Sequence, residues 1–247
     1  MRTINRLIIA ILCLAAVGCQ SEEEALRYNN ITMGNFTEGT FISDQGNIFN
    51  VVENPCKGDL TANERSFIIC DVLDKSRNGR DNEYDIRLTH MTKVLAKDIV
   101  TPDAETDDDI EIEDPVKIED IWAAGGYINM YVMFPVKLGS STPHIINLVQ
   151  EESGEEGVYS FTLRHNAQGE TVDDINTTNL GFGGGYVSFP VNAIMKEEQA
   201  RIQIRWKWYK QTVNGFSSET EYKFIDKPYT KTGYEHVTKN TGKQLQD

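Results

Sequence analysis

His144 and His165 are the first residues in this chain whose type and spacing could do chemistry. They stand on segments flanking the turn-rich Ser153–Gly157, and each shares parity with the apolar residues of its own segment, so a hairpin would bring the two imidazoles together. Paired imidazoles can begin a metal site. Zinc, however, takes three or four ligands, and no carboxylate or thiol stands at a supporting spacing, so the pattern favours structural histidines at the rim of a sheet. Asp107-Asp108-Asp109, with Glu111 and Glu113 beyond, could offer oxygens to calcium. The central glycine and terminal glutamate of an EF-hand loop are missing, which leaves a solvated acidic loop as the simpler reading.

Nucleophilic and phosphate-binding chemistry finds less support. No Gly-x-Ser-x-Gly elbow occurs. The glycines at Gly181 and Gly183-Gly184-Gly185 are not followed by the Gly-Lys-Ser/Thr of a phosphate cradle and read as a flexible turn. Among the binding candidates, Trp122, Tyr127 and Tyr131 stand out. The two tyrosines fall on the face of their strand opposite Ile128, Met130, Val132 and Phe134, with Trp122 just upstream. Outward aromatics of this kind form either a platform for a glycan or protein ligand or the packing surface of a neighbouring domain.

The N-terminus carries an address. Arg2 and Arg6 precede an apolar run from Leu7 to Val17, the layout of a secretory signal peptide, and this run is far short of the about 20 residues needed to span a bilayer. Ala16-Val17-Gly18-Cys19 then resembles the bacterial lipobox, so residues 1–18 are expected to be a leader and Cys19 the acylated first residue, followed by an acidic linker over 19–27. More than one acyl chain gives stable attachment, each buried methylene contributing about 0.8 kcal/mol. Ser21-Glu22-Glu23-Glu24 resembles the signal that carries some lipoproteins to the outer face of the outer membrane.

Charge narrows the partners. The 247 residues hold 24 basic and 38 acidic side chains, a net −14, and loss of the leader with its two arginines takes this to −16. That sign disfavours nucleic acid, whose binding needs a basic face. Nothing in the sequence calls for a cofactor.

The elements that must position these residues are strands. Period-two alternation runs through Ile202, Ile204, Trp206 and Trp208 against Arg201, Gln203, Arg205 and Lys207, and through Tyr159, Phe161 and Leu163 against Ser160, Thr162 and Arg164, as expected of strands buried on one face. No long 3.6-residue pattern is present after the leader, so the class is all-β. Ala123-Ala124-Gly125-Gly126 suggests a boundary, giving domains over 28–124 and 125–230, and the polar residues 231–247 read as a tail. Cys56 and Cys70 are expected to be unpaired and buried. In a hairpin of 48–54 with 65–74 they would lie about 20 Å apart along the ladder, beyond disulfide reach.

Asp120-Ile121-Trp122 leading into Gly125-Gly126-Tyr127-Ile128-Asn129, then His144-Ile145-Ile146-Asn147-Leu148-Val149, Leu163-Arg164-His165-Asn166 and Tyr186-Val187-Ser188-Phe189 resemble, as an ordered set, the NigD-like lipoprotein family. The resemblance implies an N-terminal OB-like barrel followed by a C-terminal antiparallel β-sandwich, on a lipid-anchored envelope protein. Its founding member belongs to a bacteriocin-associated operon, and its members have no established biochemical activity. The function expected on these grounds is a non-enzymatic, surface-exposed outer-membrane lipoprotein binding a protein or glycan, with an association with bacteriocin immunity. An envelope hydrolase with a site unrecognisable from sequence is the alternative.

Overall fold

The computed structural model describes residues 29–57, 60, 64–75, 81–101, 110–197, 199–213 and 215–230. The leader, Cys19, the acidic linker, Asp107–Asp109 and the tail lie outside the described residues. Among those described there is no α-helix.

The first five strands are β1 (Asn29–Thr37), β2 (Thr40–Ser43), β3 (Ile48–Glu53), β4 (Arg65–Lys75) and β5 (Glu83–Lys93). They close into a barrel in the order β1-β2-β3-β5-β4, with β3 and β5 parallel and the other pairs antiparallel. This is the five-stranded Greek-key barrel of the OB-like expectation. Alternate residues of β4, Ile68, Cys70 and Val72, point inward to meet Phe36, Phe41, Phe49, Ile86 and Leu88, as the two-residue period of a strand requires. Glu38 and Gly39 both take positive φ, the geometry of a tight hairpin turn between β1 and β2.

The cysteines are unpaired, but only Cys70 is buried; Cys56 is exposed. The hairpin assumed from sequence does not form, since β3 lies between β2 and β5 while β4 pairs with β1 and β5.

The sandwich follows directly. One sheet has the order β6-β11-β8-β7, built from β6 (Leu95–Ala96), β7 (Lys117–Ala124), β8 (Tyr127–Lys137) and β11 (Leu180–Pro190). The other has the order β15-β12-β10-β9, from β9 (Ile145–Glu151), β10 (Val158–Asn166), β12 (Gln199–Trp206) and β15 (Lys223–Thr230). Pairing is antiparallel except for β6 with β11 and β10 with β12. Ile128, Met130, Leu148, Phe161, Leu163, Phe189 and Ile204 fill the space between the sheets. A small hairpin, β13 (Tyr209–Thr212) and β14 (Gly215–Ser218), stands apart.

Three sequence expectations are corrected here. Gly125-Gly126 is the turn of the β7–β8 hairpin, with φ of +62° and +82°, and not a break between units; β6 and β7 already belong to the sandwich. The glycine run is the body of β11, not a flexible turn. A Cβ on Gly184 would lie 2.6 Å from the Val132 carbonyl oxygen and one on Gly183 3.1 Å from the Phe134 ring, so glycine permits close approach to β8. Finally, β12 ends at Trp206, which is buried, while Trp208 lies beyond it, half-buried under the Lys223 ammonium, 4.0 Å from its ring centroid.

Candidate functional site

Strand β8 is buried on both faces. Ile128, Met130 and Val132 enter the sandwich core, and Tyr127, Asn129 and Tyr131 face the barrel. Trp122 packs with Met33, Val94 and Ala124, against Phe67 and Tyr186. Tyr186 stacks on Phe67 at 5.0 Å between centroids, meets Trp122 edge-on at 6.3 Å and touches Tyr131 at 4.8 Å. Tyr127 lies beneath the Arg65 guanidinium, 3.9 Å from its carbon, and its hydroxyl accepts from Asn35 at 3.2 Å. The three aromatics singled out from sequence therefore pack the seam between barrel and sandwich.

Arg65 organises that seam, and sequence reasoning missed it. At 3% exposure its guanidinium makes five hydrogen bonds: Nε to Ser188 Oγ (2.6 Å), Nη1 to Asn35 Oδ1 (3.1 Å) and Asp44 Oδ1 (3.0 Å), Nη2 to Asp44 Oδ2 (2.7 Å) and Asn129 Oδ1 (2.6 Å). The side chain has five N–H donors in a rigid fork, so the count is complete. The Ser188 hydroxyl in turn donates a hydrogen bond to Asn129 Oδ1 at 2.7 Å. Burial pushes the Asp44 carboxyl up, and the bond and charge of Arg65 oppose that push. A Cβ on Gly125 would fall 2.3 Å from Asp44 Oδ1, so this turn of the sandwich can seat the carboxylate only with glycine there.

The histidines do meet. His144 Nδ1 and His165 Nε2 are 2.9 Å apart, and the rings stack with Phe134, whose centroid is 4.3 Å from that of His144 and 5.7 Å from that of His165. His165 Nδ1 is 3.3 Å from the carbonyl oxygen of Pro115. A carbonyl only accepts, so His165 carries its proton on Nδ1 and its Nε2 accepts from His144 Nδ1. His144 Nε2 is then a bare lone pair when the ring is neutral. It is buried without a hydrogen-bond partner and faces Glu170 Oε2 at 3.8 Å. Glu170 also accepts from the Lys137 amide at 2.8 Å. It reaches the histidines because Gln168 and Gly169, both at positive φ, turn the chain back after β10; no strand periodicity in the sequence marks that turn.

Protonation follows from this packing. Burial, then the neighbouring His144, take His165 from 6.5 to about 4, and burial lowers His144 as well. Hydrogen bonds from Ser140 and from the Lys137 amide hold Glu170 down at about 2. Among the described residues no group of three or more His, Cys, Asp or Glu side chains is placed to hold a metal ion.

Of the acidic loop, Glu111 pairs with Arg164 at 2.7 Å, Glu113 accepts from the Tyr222 hydroxyl, and Asp114 accepts from the Ala167 amide at 2.8 Å. These carboxylates are spent on the sandwich. Ile121, Trp122, Ile128, Ile204 and Ile225 line a cleft between the two sheets with apolar side chains, and Lys227 is the one charged residue on its wall. Exposed apolar side chains also occur around the small hairpin. Phe182, Tyr209 and Phe216 form a ring cluster with centroids 5.0–5.9 Å apart, beside exposed Leu138 and with Val213 fully exposed after β13.

Comparison with known proteins agrees with this architecture. Residues 98–223 match the model of the NigD-like C-terminal beta sandwich domain. Among solved structures, a protein of unknown function (DUF1344) from Bacteroides vulgatus is 24% identical with a TM-score of 0.61, over 83% of this chain and 92% of that one. A NigD-like immunity protein from Bacteroides caccae is 18% identical with a TM-score of 0.57, over 83% and 98%. A candidate lipoprotein from Bacteroides fragilis is 16% identical with a TM-score of 0.53, over 81% and 96%. At these identities the likeness is one of fold. Among curated proteins none matches. The family model spans just over half of the chain, and the chain belongs to the family of the NigD-like C-terminal beta sandwich domain.

Proposed function

We propose that this protein is a non-enzymatic lipoprotein of the outer membrane, held by an acylated Cys19 and displayed on the cell surface, where it binds a secreted protein of the bacteriocin class and acts in immunity. The observation that carries the reading is the hairpin end of the sandwich. Phe182, Phe216, Leu138 and Val213 gather apolar surface there, whereas the aromatics of the seam and the histidine pair are buried. Aliphatic side chains beside aromatic ones favour a protein partner over a glycan, since sugars gain mainly from open aromatic faces and protein hot spots from desolvated apolar contact. The likeness in fold to an immunity protein and to a candidate lipoprotein supports the partner class and the envelope address.

The test is protection of sensitive cells. Cells expressing the chain should survive a purified bacteriocin from a competing strain. Cys19→Ala should lose its acyl mass and release the protein from the membrane, and Leu138→Glu with Val213→Glu, both at well-exposed positions, should abolish protection without lowering Tm. Protection that survives both surface substitutions, or a protein inaccessible to protease on whole cells, would count against this reading.

A further inference from the structure

We propose that the outer edge of β15 is a dimerisation surface, to which a second copy of this chain adds its own β15 in antiparallel register centred on Phe224. β15 ends the sheet order β15-β12-β10-β9, and among the described residues only β12 pairs with it. Its neighbours fix the direction of its free backbone groups. The Arg201 amide donates to the Gly157 carbonyl on the β10 side, so Arg201, and with it Gln203 and Arg205, turn their amides and carbonyls away from β15. Their register partners Pro228, Asp226 and Phe224 therefore turn theirs away from β12, toward the open edge. Proline stands where the sheet loses no hydrogen bond, which leaves Phe224 and Asp226 each presenting a donor and an acceptor. Phe224 is also 57% exposed, on the wet face beside Arg205.

The side chains select the register. Two copies related by a two-fold axis pair residues of the same sheet face, so the axis must pass through a residue and its copy. Centred on Lys223 or Lys227, the pairing sets that lysine against itself; centred on Ile225, it sets Lys223 against Lys227. Centred on Asp226, it opposes two carboxylates and places Pro228, which has no donor, against Phe224. Centred on Phe224, no like charges face each other. The two phenyl rings meet at the axis, Tyr222 stands opposite Asp226, Lys223 opposite Ile225 and Glu221 opposite Lys227. Like charges directly opposite destabilise a pair of strands, whereas aromatic and opposite-charge pairs stabilise it. This self-complementarity of charge is what favours a second copy over an unrelated strand. Two four-stranded sheets become one of eight, and Pro228 ends the pairing on either side. One strand from each copy buries less than the about 1,200 Å² of a stable interface, so the dimer is weak and reversible.

Sedimentation equilibrium of the full chain in detergent reads the association, and a concentration-dependent monomer–dimer equilibrium is expected. Glu221→Lys or Lys227→Glu alone puts two like-charge pairs into the register and should weaken the dimer about ten-fold, the combined effect of two cross-strand pairs. Both substitutions together restore opposite charges and should return the association to within about two-fold of the starting chain. Phe224→Asp, which opposes two carboxylates at the axis, should leave monomer with an unchanged circular dichroism spectrum. A chain that stays monomeric at its highest soluble concentration would overturn the proposal. So would a dimer indifferent to all of these substitutions, which would lie on another surface, or a double variant as weak as the single ones. Because the double variant carries both changes and keeps the dimer, its behaviour separates lost pairing from lost folding.

Discussion

Arg65 of the barrel donates from Nη2 to Asn129 Oδ1 of the sandwich across 2.6 Å, with both side chains sealed from water. The same guanidinium holds Asp44 in its own unit, so one cation ties the two units together. Breaking a buried ion pair from one side typically costs about 3–5 kcal/mol, because the remaining charge is left uncompensated. Arg65→Ala and Asp44→Ala should each destabilise on that scale, and the double substitution should cost less than their sum by about 1 kcal/mol or more. Urea midpoints of the four proteins measure the coupling. Strict additivity would mean that the pair acts as two independent surface charges.

Acid should weaken the fold in two stages. His165 falls from 6.5 to about 4 and His144 also falls, so between these values the unfolded chain binds more protons than the folded one and stability declines as pH drops below 6.5. For His165 alone this amounts to on the order of 3 kcal/mol by about pH 4. Glu170, lowered from 4.5 to about 2, contributes stability present above 4.5 and lost as pH falls toward 2, so it adds to the same trend. Urea midpoints taken from pH 7 to pH 4 should fall steadily, and less so in His165→Gln measured against its own value at pH 7. A flat profile across that range would show that the imidazoles reach water.

The all-β class was legible because one-sided burial writes a two-residue period into strands such as β10 and β12. The histidine pair was legible for the same reason, since parity placed both rings on one face. Glu170 was not, because a turn at Gln168-Gly169 and not a strand period delivers it. The Gly125-Gly126 pair reads alike as a linker or a hairpin turn, and only the pairing of β7 with β8 decides. Glycine-rich β11 lacks the side chains that would show a period. Arg65 was invisible because its partners Asn129 and Ser188 lie far along the chain; both sit within the short motifs that carried the family resemblance, where they look like isolated polar residues in apolar strands.

Trp206 and Trp208 share parity and the same core cluster, but Trp206 is buried within it and Trp208 is half-buried at its margin. Trp206 is in the sandwich core, so Trp206→Ala should cost about 3–5 kcal/mol through lost transfer energy and cavity formation. Trp208 lies past the strand end with Lys223 over its ring, and Trp208→Ala should cost clearly less. Arg205→Ala, on the wet face with Glu151 and Tyr222 as neighbours, should stay under about 1 kcal/mol. Equal losses for the two tryptophans in guanidinium unfolding would mean that Trp208 is packed as deeply as Trp206.

Where the sandwich begins can be decided with two fragments. Residues 95–230 keep β6 and β7, whereas 127–230 lose both, and with them Ile99, Val116 and Ile121 from the central cluster. The longer fragment should show near-ultraviolet circular dichroism and a single cooperative melt, at a lower Tm than the whole chain because Trp122, Tyr131 and Tyr186 lose their barrel contacts. The shorter one should keep strand signal at most, without fixed tertiary packing, since the edge of β8 that β7 covers would be open and apolar. Cooperative melting of 127–230 would mean that β7 is an accessory to the sandwich, and that the boundary belongs at the glycine pair after all.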